Sequence, residues 1–199
     1  MGLDLDKAKL LLIDTCGETA GEAVCVGSRV VASEDLERGR ASAEIVAAVR
    51  RLLTSVGWGI KELDAVGVVS GPGSFTGMRT GLAAAKGLCE AAGVRLVAVS
   101  RLEVLADKAG AVDGYVALDA GRGEVYVRDV VSGREWLGSG EEFVATDTLL
   151  HVGDALGVVL RRLAEGAVDA GVVDANYVRG EQEIYRRSAG RDAQGAAGV

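Results

Sequence analysis

Five small residues at four-residue spacing, Gly73, Gly77, Gly81, Ala85 and Cys89, constrain this chain more than any other feature. They follow a segment, residues 63–69, that contains the apolar run AVGVV, and then the turn Ser70-Gly71-Pro72-Gly73-Ser74. An apolar run without alternation reads as a strand covered on both faces. Residues 76–92 read as a helix, which places the small residues in one stripe along it. Each interior glycine costs about 1 kcal/mol relative to alanine, so Gly77, Gly81 and Gly87 together forfeit about 3 kcal/mol of helix stability. Close approach of another backbone offsets such a loss, because only small residues let a helix come nearer than the usual 8 to 10 Å. Spacing alone leaves two occupants open: the chain's own sheet, or a partner subunit with Arg79 and Lys86 as rim contacts.

The segments around this unit alternate in type. KLLLID, residues 9–14, is a short apolar run ending in Asp14, followed by the turn Thr15-Cys16-Gly17-Glu18-Thr19. Residues 21–26 and 29–33 complete a three-strand meander. Ile45, Val49, Leu52, Leu53 and Val56 then fall on one face of a helix over residues 42–56, ended by Gly57 and Gly59. A strand at 94–99 and a helix at 101–109 follow, so the first half reads βββαβαβα, an α/β chain with parallel pairing where strands and helices alternate. About half the chain further on the pattern restarts: YVALD at 115–119, glycines at 121 and 123, and a strand at 124–129. This predicts a first lobe at residues 1–100 and a smaller second lobe at 101–187, with residues 153–162 as its helix. A tail at 188–199 lacks periodicity and is expected to be mobile.

Two chemical readings come from the strand ends. Asp14 and Asp119, facing each other across two lobes with Thr15 and Thr19 nearby, are suited to holding a nucleotide with its Mg²⁺. That would make the chain an ATP-dependent phosphotransferase or ATPase. The plainer alternative is that each aspartate starts a turn by accepting from nearby backbone N–H groups. The loop before the glycine helix resembles an anion site, but Met78-Arg79 stands where a Walker sequence has Lys-Ser or Lys-Thr. His151 is the single histidine, which leaves no zinc pair, and Cys16, Cys25 and Cys89 form no C-x-x-C. They read as reduced thiols of a cytoplasmic protein. The formal net charge of −7 opposes direct nucleic-acid binding, and Arg161-Arg162 and Arg186-Arg187 read as solvated pairs. The first nine residues do not read as a secretory signal, and no stretch is long and apolar enough to cross a bilayer.

Taken together and in order, IDTCGETAGEAV, SGPGSFTGMRTGLAAAKGL, VAVSRLEVLA, LDAGRGEVYV and DANYVR resemble the TsaB (YeaZ) family over residues 10–187. The resemblance implies a two-lobed actin-like, Hsp70-like (ASKHA) α/β fold with RNase H-like topology and a reduced second lobe. It implies a non-catalytic scaffold subunit that binds TsaD, the protein that transfers threonylcarbamoyl to adenosine 37 of ANN-decoding tRNAs. TsaE joins that complex, tRNA is reached only through it, and the free protein forms a homodimer. No cofactor or metal of its own is implied, with ATP and Mg²⁺ placed at the complex interface. The implied contact surface comprises Gly71, Pro72, Gly73, Ser74, Phe75, Thr76, Gly77, Arg79, Gly81 and Ala85, with Ile45 and Val49 on the neighbouring helix. A TsaD-like metal centre, or a metallopeptidase, would need a His-x-x-x-His pair that one histidine cannot supply.

Overall fold

The apolar residues of KLLLID alternate between two destinations, and this sets the architecture. A computed structural model describes residues 3–37, 40–166 and 172–178. In it β1 (Lys9–Asp14) is the middle strand of five, in the order β3-β2-β1-β4-β5. β2 (Ala20–Val26) and β3 (Arg29–Leu36) extend it antiparallel, while β4 (Ala65–Val69) and β5 (Arg95–Val99) run parallel on its other side. Leu11 and Ile13 face a layer made by α1 (Ala41–Ser55) and α2 (Phe75–Ala92), packing with Ile45, Val49, Leu52, Leu82 and Ala85. Leu10 and Leu12 face the opposite layer, with Leu102 and Leu105 of α3 (Arg101–Lys108) and Val158 and Val159 of α4 (Leu156–Glu165). Apolar side chains on both faces are what a strand covered by helices on each side requires.

β3 continues three residues past the expected end at Ser33. It is an edge strand, where charged residues are tolerated, and Glu34 there pairs with Arg51 of α1. Its neighbour Glu22, in β2, is fully buried on the α1 side, and neither carboxylate oxygen has a hydrogen-bond partner. Burial, reinforced by the nearby Glu34 carboxylate and opposed by Arg51, pushes the Glu22 carboxyl up to about 8.

The second sheet is antiparallel and three-stranded: β6 (Tyr115–Gly121), β7 (Glu124–Asp129) and β8 (Glu135–Ser139), the last a strand the sequence reading did not identify. Ala117, Val125 and Val127 pack with Trp136 and Phe143 on one face, while Val116 and Leu118 join the core beneath α3. The helix expected for the second lobe lies elsewhere. α4 packs on β5, and Val159 presses against Gly67 of β4, so it closes the first sheet. A short 3-10 turn, Val152–Ala155, precedes it and contacts β1 and β2. Among the described residues of the second half, α3 packs on β6 and β7 while its Leu102 and Leu105 share a core with β1, and α4 closes the first sheet. The tail at 188–199 and the Arg186-Arg187 pair lie outside the described residues.

Candidate functional site

The β1–β2 loop and the start of α2 interlock, and this explains the glycines. A Cβ on Gly77 would run into the carbonyl oxygen of Thr15, one on Gly81 into the Thr15 hydroxyl, and one on Gly73 into the carbonyl of Cys16. Into the space left by these missing side chains Thr15 donates its hydroxyl to the Gly77 carbonyl at 2.6 Å, and the Ser74 N–H donates to the Cys16 carbonyl at 2.9 Å. Ser74 also caps α2, accepting at 3.2 Å from the Gly77 N–H on its side-chain oxygen. Gly87 differs: it is exposed, and a Cβ there would meet nothing.

This geometry assigns the stripe to the chain's own packing. Gly81 and Ala85 are buried, as are Ile45 and Val49 at 3% and 2% exposure, so the expected partner contacts at these four positions are corrected: they lie in the intrachain core. Gly71 and Pro72 are also buried, joined by a cis peptide bond, and Gly73 and Gly77 are half-buried against the β1–β2 loop. Of the expected contact residues, Ser74, Thr76 and Arg79 are exposed and Phe75 partly so. Beside them the outer faces of α1 and α2 carry Ala43, Val46, Ala47 and Ala83, with Val46 61% exposed.

The structure engages Asp14, Thr15 and Asp119 in separate intrachain hydrogen bonds. Asp14 is buried and accepts from the Cys16 N–H at 2.8 Å, while Asp119 accepts from the Gly121 N–H at the same distance. Each therefore starts a turn. Burial pushes the Asp14 carboxyl up, although the Cys16 N–H and the charge of Arg101 pull the other way. Thr15 is engaged with Gly77, and the Thr19 hydroxyl donates to the Leu150 carbonyl at 3.2 Å. Among the described residues no group of three or more His, Cys, Asp or Glu side chains is placed to hold a metal ion. His151 is exposed and heads the 3-10 turn, its N–H donating to Asp154 at 2.7 Å.

The residues that sequence reasoning missed surround a cleft of about 280 Å³ between the two sheets. Its walls come from the β1–β2 loop (Cys16, Gly17, Glu18), the β4–α2 loop (Gly73, Ser74), the first residue of α3 (Arg101) and the β6–β7 hairpin (Asp119, Ala120, Tyr126). The Arg101 guanidinium lies on Gly17, where a Cβ would sit 2.8 Å from Nη2. Its Nε is buried without a hydrogen-bond partner. Leaving a buried donor unmatched costs about 1–3 kcal/mol. The available signal was the Ser-Arg pair directly after a strand, at the entrance to a helix.

A second missed feature is the network around Asn176. The Asn176 N–H donates to the Ser70 carbonyl at 2.8 Å and its side-chain amide to Glu135 at 2.6 Å. Glu135 also accepts from Ser100 at 2.5 Å and from Arg128 at 2.7 Å. Tyr177 stacks on Phe75 with centroids 5.7 Å apart and accepts from Arg79 Nε at 2.9 Å. Asn176 and Tyr177 thus tie the ends of β4 and β5, the start of α2 and the second sheet together.

These features define an α/β protein of the kind described by the family model TsaD, tRNA N6-adenosine threonylcarbamoyltransferase, which matches residues 38–185. The tRNA threonylcarbamoyladenosine biosynthesis protein TsaB of Escherichia coli (strain K12) is 33% identical over 138 residues, covering 67% of this chain and 60% of that protein. The TsaB protein of Bacillus subtilis (strain 168) is 36% identical over 121 residues, 59% of this chain and 52% of its own. The matched region thus spans little more than half the length of these curated relatives. The solved structure of YeaZ from Pseudomonas aeruginosa superposes with a TM-score of 0.71 at 25% identity, covering 85% of this chain and 99% of that one. The chain belongs to the TsaB (YeaZ) family.

Proposed function

We propose that this protein serves tRNA threonylcarbamoyladenosine biosynthesis as an accessory subunit without a catalytic centre of its own, pairing directly with TsaD. The observation that carries the reading is the outer face of α1 and α2. These helices pack side by side and expose Ala43, Val46, Ala47 and Ala83 at their surface, with Thr76 and Arg79 at one end. Small side chains on two adjacent helices make a smooth surface on which another pair of helices can approach closely. In this reading the face pairs two copies of the free protein and TsaD displaces one copy. TsaE joins the assembly, ATP with Mg²⁺ enters at the shared interface, and tRNA is held by the complex. We read the five-stranded sheet, ordered β3-β2-β1-β4-β5, as the RNase H-like lobe of a reduced actin-like fold. The setting is cytoplasmic. Among the described residues no helix is long and apolar enough to cross a membrane.

The test uses exposed positions, since a substitution at buried Gly81 would disturb the fold instead of the contact. Val46→Glu and Ala83→Glu should each weaken TsaD binding in calorimetry by at least about tenfold, by burying a charge at the contact. Val112→Glu, on an exposed residue far along the chain, serves as the control. Unchanged TsaD affinity in both helix variants would refute the assignment.

A further inference from the structure

The cleft between the two sheets carries paired chemistry that the accessory role does not use. On one side stands the Arg101 guanidinium, which forms no hydrogen bond and no ion pair with any of the described residues, and whose Nε is buried. Two glycines shape the space around it. Gly17 leaves room for the guanidinium plane, and Gly73 keeps the β4–α2 loop tight against Cys16. On another wall stands Asp119, whose Oδ1 accepts from Gly121 while its second oxygen is left without a partner among the described residues. The exposed Glu18 adds a further carboxylate at the rim.

A planar guanidinium in such a place recognises a carboxylate or phosphate in two-pronged fashion. Carboxylates on the same walls repel a polyanion, and about 280 Å³ is smaller than the roughly 300–1,000 Å³ of pockets that hold drug-sized ligands. A nucleotide is therefore disfavoured by both charge and size. A compact ligand with a negative and a positive end satisfies both walls. We propose that this cleft binds a small zwitterion, an α-amino acid with its carboxylate on Arg101 and its ammonium on Asp119. The Ser74 hydroxyl, which uses its oxygen as an acceptor for the α2 cap, keeps its proton free to donate to the ligand carboxylate. Tyr126 and Ala120 form the wall for a short side chain.

Calorimetric titration of the full chain with glycine and L-alanine tests this, with acetate, methylammonium and inorganic phosphate as comparison probes. The amino acids should bind saturably, and acetate and methylammonium, each lacking one charge, at least about tenfold more weakly. Asp119→Asn retains the oxygen that accepts from Gly121, so it preserves the turn while removing the charge. It should weaken glycine binding by about tenfold with an unchanged melting temperature. Arg101→Gln should do so at least as strongly. Should that variant unfold because Asp14 loses its neighbouring positive charge, Asp119→Asn and the cleft-filling Ala120→Leu decide the matter. Absence of saturable binding by either amino acid, tighter binding of phosphate than of glycine, or affinities unchanged by Asp119→Asn would each overturn the proposal. None of these outcomes bears on TsaD pairing, whose test positions Val46 and Ala83 do not line the cleft.

Discussion

Replacing Glu22 by glutamine should flatten the pH dependence of this protein's stability between about pH 5 and about pH 8. The carboxyl is fully buried in β2, has no hydrogen-bond partner, and is held at about 8 against an ordinary value of 4.5. Because the folded state raises the value, the folded protein keeps the proton where the unfolded chain has released it. The stabilising contribution is complete below about pH 4.5 and falls away as pH rises through about 8. A displacement of this size corresponds to on the order of 5 kcal/mol, at about 1.4 kcal/mol for each pH interval of one. That is a large share of a domain's net stability of about 5–15 kcal/mol. The thiols do not compete in this range: burial pushes Cys89 up to about 11 and Cys25 to about 12, and burial with the nearby Asp14 carboxylate also pushes Cys16 well up from its ordinary value. Urea unfolding of both proteins, followed from about pH 5 to about pH 9 at fixed ionic strength, gives the difference curve directly. His151 is common to both and cancels. Wild-type stability should drop by several kcal/mol more than that of Glu22→Gln across this range, the contribution of the buried Asp14 being common to both. Parallel curves would refute the reasoning, since they would mean that Glu22 ionises inside the sheet at little cost, compensated by Arg51.

Four further substitutions probe the packing. Gly87→Ala, at an exposed helical site with open space, should stabilise the protein by about 1 kcal/mol in thermal unfolding, whereas Gly77→Ala should destabilise it despite the same gain in helix propensity. Ser74→Ala removes the α2 cap and should cost about 1 kcal/mol, measured by denaturant midpoint. Asn176→Ala deletes the amide that donates to Glu135 and should increase proteolysis after residue 172 and amide exchange at the start of α2, with a stability loss of about 1–3 kcal/mol. Unchanged exchange at α2 would show that the Asn176–Tyr177 segment does not brace that helix.

The short apolar run of KLLLID, the unbroken AVGVV run and the helical period of Ile45, Val49 and Leu52 identified the elements of the first sheet to within a few residues, because each strand or helix has one face or two to bury. β8 escaped notice since Glu135, Trp136 and Leu137 are only half-buried and interrupted by Gly138, so no alternation marks them. α4 was legible as a helix but not in its destination: the same apolar face that would suit a second lobe fits the groove that Gly67 opens in β4.

The site divides in the same way. Glycines at 73, 77 and 81 announced from sequence alone that another backbone must approach, and family motifs named the protein's relatives. The identity of that backbone, the Thr15-Cys16 turn, was a tertiary fact: spacing fixes which side chains share a face, whereas the neighbour depends on how a loop some 60 residues earlier folds back. The surface proposed for the partner lies for this reason on the exposed side of the same helices and not on the small stripe. Arg101 illustrates the remainder, an ordinary arginine in the sequence whose unmatched guanidinium and acidic neighbours across a cleft arise only when four separate segments converge.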